Sequence, residues 1–228
     1  RGVKWVAVPT SLAAMVDAAI GGKTGINLEA GKNLAGSFYS PRAVFVDINF
    51  LNCLSDRDLV AGMAEVVKCG FISDTQILEL CNRDWRANLP ELIHRAVAVK
   101  ARVVSSDFKE SFDREILNYG HTLGHAIEKH CDYKLRHGEC VAIGMVFAAE
   151  LSSKVCDLDS ATVARHREIL KELDLPTTYS KGAWPELFEL MQSDKKRSAN
   201  GLRFVTLRKN GQTDRADSLD VKIMERVY

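Results

Sequence analysis

Apolar residues are spaced differently on the two sides of residue 55. Before it they come in short unbroken runs, Trp5-Val6-Ala7-Val8 ended by Pro9, and Ala43-Val44-Phe45-Val46 closed by Asp47. Unbroken runs of this length are typical of parallel strands covered on both faces. Residues 11–20 read as helical, and a Gly-rich loop follows over residues 21–36. Strand, helix, loop and strand in that order predict the tail of an α/β domain. The first run starts almost at residue 1, with no initiator Met, so the sequence reads as the later part of a longer polypeptide.

Beyond residue 55 the period becomes helical. Leu59, Val60, Met63, Val66 and Val67 share a helical stripe, and Ser55 with Asp58 supplies a capping signal ahead of it. Further helices are predicted over 74–82, 90–106, 118–129, 138–156, 159–173 and 184–192, with Pro90 and Asp159 at favoured starts. Residues 202–207 alternate, and Asn210-Gly211 is a hairpin turn signal. The expected architecture is therefore an α/β remnant over residues 1–54, then a mostly α-helical domain over 55–228 with a small C-terminal β-hairpin.

Composition narrows the function. The chain has 228 residues, 46% hydrophobic and 27% charged, which excludes wholesale disorder. Its net charge of +1 lacks the basic excess of a nucleic-acid binder. No apolar run approaches the ~18 residues of a membrane span, and no signal peptide is evident. Cys53, Cys69, Cys81, Cys131, Cys140 and Cys156 are far apart and form no C-x-x-C. They are expected to be reduced and buried, in a cytoplasmic protein.

Several polar residues sit oddly for a scaffold. Gly21-Gly22-Lys23-Thr24-Gly25 invites a phosphate-loop reading, but that motif needs Gly at position 17, which is Asp. The glycines and lysines of 21–36 still suit a phosphate, although a plain loop has the same composition. Asp17 stands alone in an apolar segment; it is either exposed or buried with a partner. Glu65 and Lys68 share a helix face, commonly a surface ion pair, while Ala61 and Gly62 leave space beside Glu65. Lys100 lies among Ala96, Val97, Val103 and Val104, so it either snorkels to water or faces a cavity.

The strongest signal is Asn118-Tyr119-Gly120-His121-Thr122-Leu123-Gly124-His125. His121 and His125 are i and i+4, with glycines before each that leave room for a metal or substrate. His137 follows at the start of an apolar helix. Thr122 replaces the Glu that a zincin requires. Glu110, Arg114 and Asn118 recur every four residues and line one face if that segment is helical. One carboxylate with two or three imidazoles suits a divalent metal with an open position. Surrounding Lys and Arg imply an anionic, phosphorylated substrate.

These segments resemble the 3-dehydroquinate synthase family of zinc- and NAD-dependent sugar-phosphate cyclases. The resemblance covers essentially the whole chain. It rests on Val8-Pro9-Thr10-Ser11, Met15 to Gly25, Gly31-Lys32-Asn33-Leu34, Leu59 to Lys68, Asn118 to Ala126, Arg136-His137-Gly138-Glu139 and Asp194-Lys195-Lys196. It implies an α/β nucleotide-binding domain followed by a helical domain, with the active site between them. The family's Gly-rich turn for the NAD pyrophosphate would precede residue 1. The resemblance places zinc, or cobalt, on Glu65, His121 and His137, and moves His125 off the metal. It assigns substrate contacts to Asp17, Lys23, Asn33, Lys100, Arg114, Asn118 and Lys195. Catalytic roles fall on Glu110, His125 and Lys68, the first two for proton transfer. NAD contacts fall on Thr10, Ser11, Lys32, Phe50, Leu51, Asn52 and Cys53; Ser11 stands where Thr is more usual.

The implied reaction converts 3-deoxy-D-arabino-heptulosonate 7-phosphate to 3-dehydroquinate and phosphate, a lyase step of the shikimate pathway. It proceeds through transient oxidation with NAD, phosphate elimination, reduction, ring opening and an intramolecular aldol closure. A homodimer is implied as well. A sister cyclase acting on sedoheptulose 7-phosphate, and a helical module without catalysis, are the competing readings. The first would differ among substrate contacts; the second would have lost Glu65, His121 or His137, and all three are present.

Overall fold

The computed structural model describes residues 2–28, 31–108, 113–195 and 202–228; side chains are described outside 27–34 and 194–195. Helices dominate: α1 (Asp56–Ile72), α2 (Gln76–Cys81), α3 (Leu89–Ser106), α4 (His121–His130), α5 (His137–Val155), α6 (Ser160–Glu172), α7 (Trp184–Lys195) and α8 (Val221–Val227). Two small antiparallel sheets accompany them. The first pairs β1 (Ile26–Leu28) with β2 (Gly31–Ala35), the second β3 (Arg203–Lys209) with β4 (Gln212–Asp217).

Two helices form the centre. α1 is buried at every position from Ala61 to Ile72, and α5 at every position from Cys140 to Ala149. A helix apolar on all sides belongs inside a protein, so any polar residue on it is buried too. Three glycines let neighbouring chain pack closely on the central helices. A Cβ on Gly138 would lie 1.7 Å from the Ala61 carbonyl oxygen, and one on Gly144 would lie 1.9 Å from the Gly120 oxygen. On Gly62 it would meet Leu12 Cβ at 2.6 Å. The space expected beside Glu65, and the room expected at Gly120 and Gly124, is thus filled by neighbouring chain: Gly120 packs on Met145 and Val141, and Gly124 on Cys140.

Helix starts follow their caps. Ser55 Oγ accepts from the Asp58 amide (3.1 Å) and donates to Asp58 Oδ2 (2.6 Å). Asp159 accepts from the amide and hydroxyl of Thr162 at 2.8 Å each. Such caps contribute ~1 kcal/mol apiece. The C-terminal hairpin turns at Asn210-Gly211, with Gly211 at φ 76°. The Gly211 amide donates to the Phe71 carbonyl (2.7 Å), fixing the turn to the end of α1.

The first 50 residues depart from expectation. Trp5–Val8 and Ala43–Asp47 are extended and joined in parallel by Arg42 N to Trp5 O (2.8 Å), Ala7 N to Ala43 O (3.0 Å) and Phe45 N to Ala7 O (2.9 Å). They are not covered on both faces, however: Ala7 is buried, but Val6, Val8 and Phe45 are exposed. The segment expected to be a Gly-rich loop folds as the β1–β2 hairpin, driven by backbone pairing that glycine counts conceal. Residues 14–18 form a π-helical turn, closed by Ala19 N to Ala14 O (3.0 Å). The helix expected from residue 118 begins at His121. Asp113–Asn118 is a 3₁₀ turn, and Gly120 at φ 78° separates the two. The six cysteines are unpaired, but only Cys69, Cys81 and Cys140 are buried; Cys131 and Cys156 are half-buried and Cys53 is exposed. Among the described residues no helix is long and apolar enough to cross a membrane.

Candidate active site

Three helices deliver one polar cluster. Glu65 lies midway along α1, His121 opens α4 and His137 opens α5. Glu65 Oε1 is buried and makes no hydrogen bond among the described residues. It faces His137 Nε2 at 3.2 Å and His121 Nε2 at 3.4 Å. The remaining atoms of each group are already committed. Glu65 Oε2 accepts from the Lys68 ammonium, with both side chains almost fully buried. His121 Nδ1 donates to the Tyr119 carbonyl (3.1 Å), and His137 Nδ1 donates to Glu128 Oε1 (2.8 Å).

That pattern fits a divalent metal. The Nδ1 donors fix both tautomers, leaving two Nε2 lone pairs and one carboxylate oxygen converging; one ligand atom from each lies within 4.8 Å of the others. Two imidazoles and a carboxylate are a catalytic zinc set, and histidines oriented by a carboxylate and a carbonyl are its usual support. Electrostatics agree. Burial pushes the Glu65 carboxyl up, but Lys68 and the two histidines outweigh it and hold it well below the usual range. Burial pushes the Lys68 ammonium down, but Glu65 and Asp17 outweigh it, so Lys68 stays charged. Burial lowers His137, yet the Glu128 and Glu65 carboxylates beside it outweigh this and raise it to about 10, so a bound metal would take the place of the Nε2 proton. Two carboxylates around one imidazole thus call for a positive charge.

The cluster opens into a cleft of about 660 Å³. Asp17, Lys23, Lys68, Lys100, Arg114, Asn118, His121, His125 and His137 line it together. Lys100 does not snorkel; buried, it donates to both the carboxylate and the carbonyl of Asp17 across the π-helical turn. Burial raises the Asp17 carboxyl and Glu65 adds to that, but Lys100 and Lys68 outweigh both and lower it. Arg114 is 1% exposed. Its guanidinium donates to the carbonyls of Gly21 (3.0 Å) and Phe108 (2.9 Å), and it forms no ion pair among the described residues. His125 is exposed at the cleft, its ring 5.2 Å from that of His121.

Other candidates fall elsewhere. Thr10 and Ser11 precede the π-helical turn, where Ser11 Oγ accepts from the Ala14 amide (3.4 Å). Phe50, Leu51, Asn52 and Cys53 form a 3₁₀ turn before α1. Leu51 packs into the core, so only its main chain is available to a ligand. None of these six lines the cleft. Glu110 lies outside the described residues, as do the side chains of Lys32, Asn33 and Lys195. The sequence reading missed the hairpin wall: Thr24, Gly25, Gly36, Ser37 and Phe38 line the cleft, and Phe38 meets Phe108 edge-on at 6.0 Å. It also assigned no role to Glu128, although Glu128 is one turn beyond His125.

Comparison with known proteins first defines the class. The fold is that of 2-epi-5-epi-valiolone synthase from Streptomyces hygroscopicus, solved with NAD+ and Zn2+ bound (TM-score 0.91, 23% identity, 100% of this chain and 66% of that one). It also matches 2-deoxy-scyllo-inosose synthase complexed with carbaglucose-6-phosphate, NAD+ and Co2+ (TM-score 0.83, 26% identity, 100% and 67%). Residues 1–61 match the 3-dehydroquinate synthase N-terminal family and residues 62–197 its C-terminal family. The chain belongs to the 3-dehydroquinate synthase family. The 3-dehydroquinate synthases of Nocardia farcinica and Rhodococcus opacus are each 54% identical to it over its whole length. The chain spans 63% and 64% of those relatives, just under two thirds.

Proposed function

We propose that this chain carries the metal and substrate site of a 3-dehydroquinate synthase, converting 3-deoxy-D-arabino-heptulosonate 7-phosphate to 3-dehydroquinate and phosphate. The observation that supports this most is the convergence of Glu65, His121 and His137 at the base of a cleft lined by Lys23, Lys68, Lys100 and Arg114. A zinc or cobalt ion on that triad, with NAD nearby, would supply Lewis acidity and a reversible two-electron oxidant for a substrate alcohol.

The chain's own residues account for the rest. Lys68 is a permanent buried charge that fixes Glu65, not a base. Arg114, itself buried, presents a planar fork at the cleft, which suits a carboxylate or phosphate better than an ammonium would. Lys100, held by Asp17, lines the same cleft. His125 carries an exposed imidazole suited to moving a proton at a ring nitrogen as phosphate leaves. Thr10, Ser11, Lys32 and the Phe50–Cys53 turn belong to the NAD side in this reading, Asn33, Asn118 and Lys195 to the substrate side, and Glu110 joins His125 in proton transfer. A cytoplasmic homodimer completes the proposal.

The test is product analysis with the full-length protein, NAD and zinc. Phosphate and 3-dehydroquinate from the heptulosonate support the reading. Turnover of sedoheptulose 7-phosphate alone would reassign the protein to the sister cyclases.

A further inference from the structure

His166 lies on α6, a helix that lines no part of the cleft, yet its side chain is fully buried. Its Nδ1 donates to the Thr162 carbonyl (2.8 Å). Nε2 is therefore left as an acceptor, and the Tyr119 hydroxyl donates to it at 2.9 Å. Burial holds this imidazole down at about 3, so it stays neutral and the acceptor persists. On its other face the ring stacks on Phe71 of α1 (centroids 3.4 Å apart, 9° between planes).

Tyr119 is also fully buried, and its carbonyl accepts from His121 Nδ1. The intervening Gly120 adopts φ 78°, which folds that carbonyl back toward the His121 ring, and its oxygen is wedged against Gly144. One chain of contacts thus runs from the helix that carries Glu65, through Phe71, His166 and Tyr119, to His121. Partners that orient a ligating imidazole typically change metal affinity about 10- to 100-fold when lost.

We propose that His166 is a positioning residue for the metal centre: by anchoring the Tyr119 side chain it fixes the carbonyl that sets the tautomer and direction of His121. The proposal rests on Glu65, His121 and His137 being the ligands. The experiment uses full-length protein and measures zinc affinity by chelator competition, with the visible spectrum of the cobalt form as a report of coordination geometry. Y119F keeps the ring and carbonyl but removes the hydroxyl. H166L removes the acceptor, and H166Q retains one. The expected result is zinc bound more weakly by Y119F and H166L, by up to about 10-fold because the carbonyl itself remains, with an altered cobalt spectrum, and near-normal binding by H166Q. If H166L does not fold, Y119F decides alone. Folded variants with wild-type zinc affinity and an unchanged cobalt spectrum overturn the inference, leaving His166 as core packing. Wild-type protein that holds no zinc overturns the metal centre and this inference with it.

Discussion

Lys68 sits one turn beyond Glu65 on α1 and grips one oxygen of its carboxylate, so the second oxygen alone faces His121 and His137. Both side chains are almost entirely out of solvent. Removing one member of such a pair leaves an uncompensated buried charge, at a cost of about 3–5 kcal/mol. K68M is expected to lose that much stability in urea unfolding of the metal-free protein, and less with zinc bound. A loss below about 1 kcal/mol in the metal-free form would contradict a buried, charged Glu65.

Close helix contact sets the spacing of the ligands. An alanine at Gly144 would put its Cβ 1.9 Å from the Gly120 oxygen, one residue before His121. Overpacking of this kind costs roughly 1–3 kcal/mol. G144A should therefore destabilise the protein and also release zinc more readily, by chelator competition. Destabilisation with unchanged zinc affinity would separate the packing from the site.

Acid stability should carry the signature of His166. Its folded value of about 3 lies below the ordinary 6.5. Between those values the unfolded chain binds a proton that the folded chain does not. The neutral imidazole therefore stabilises fully above pH 6.5, and that contribution is lost as pH falls toward 3. From pH 7 to pH 5 the wild type should lose about 2 kcal/mol more than H166Q. Parallel stability curves for the two proteins would contradict this.

Arg114 depends on Gly21 for its place, since a Cβ there would lie 2.4 Å from Nη2 at a φ of +101°. R114K should retain the fold but lower kcat/KM for the phosphorylated substrate about 10- to 100-fold, the worth of a charged hydrogen bond. G21A should share the defect. A kcat/KM within twofold of wild type for R114K would remove Arg114 from substrate binding.

Particular residues show what the sequence disclosed. The helices and the Asn210-Gly211 hairpin were readable because period and caps are local. Glu65 and Lys68 resembled a surface pair because spacing says nothing of α5, which closes over them through Gly138. The i, i+4 rule paired His121 with His125, whereas Glu65 faces His121 and His137. Glycines 120 and 124 looked like room for a ligand and instead admit α5. Tyr119, Glu128 and His166 act across long sequence separations or between helices, where no periodicity points.

The central claim is that α1, α4 and α5 together hold one catalytic divalent ion. Its most direct test is the metal content of the full-length protein after exhaustive dialysis, beside E65Q, H121A and H137A. The account predicts one ion per wild-type chain and none retained by the three variants, each still folded. Wild-type protein without metal, or variants that keep it, would contradict the account.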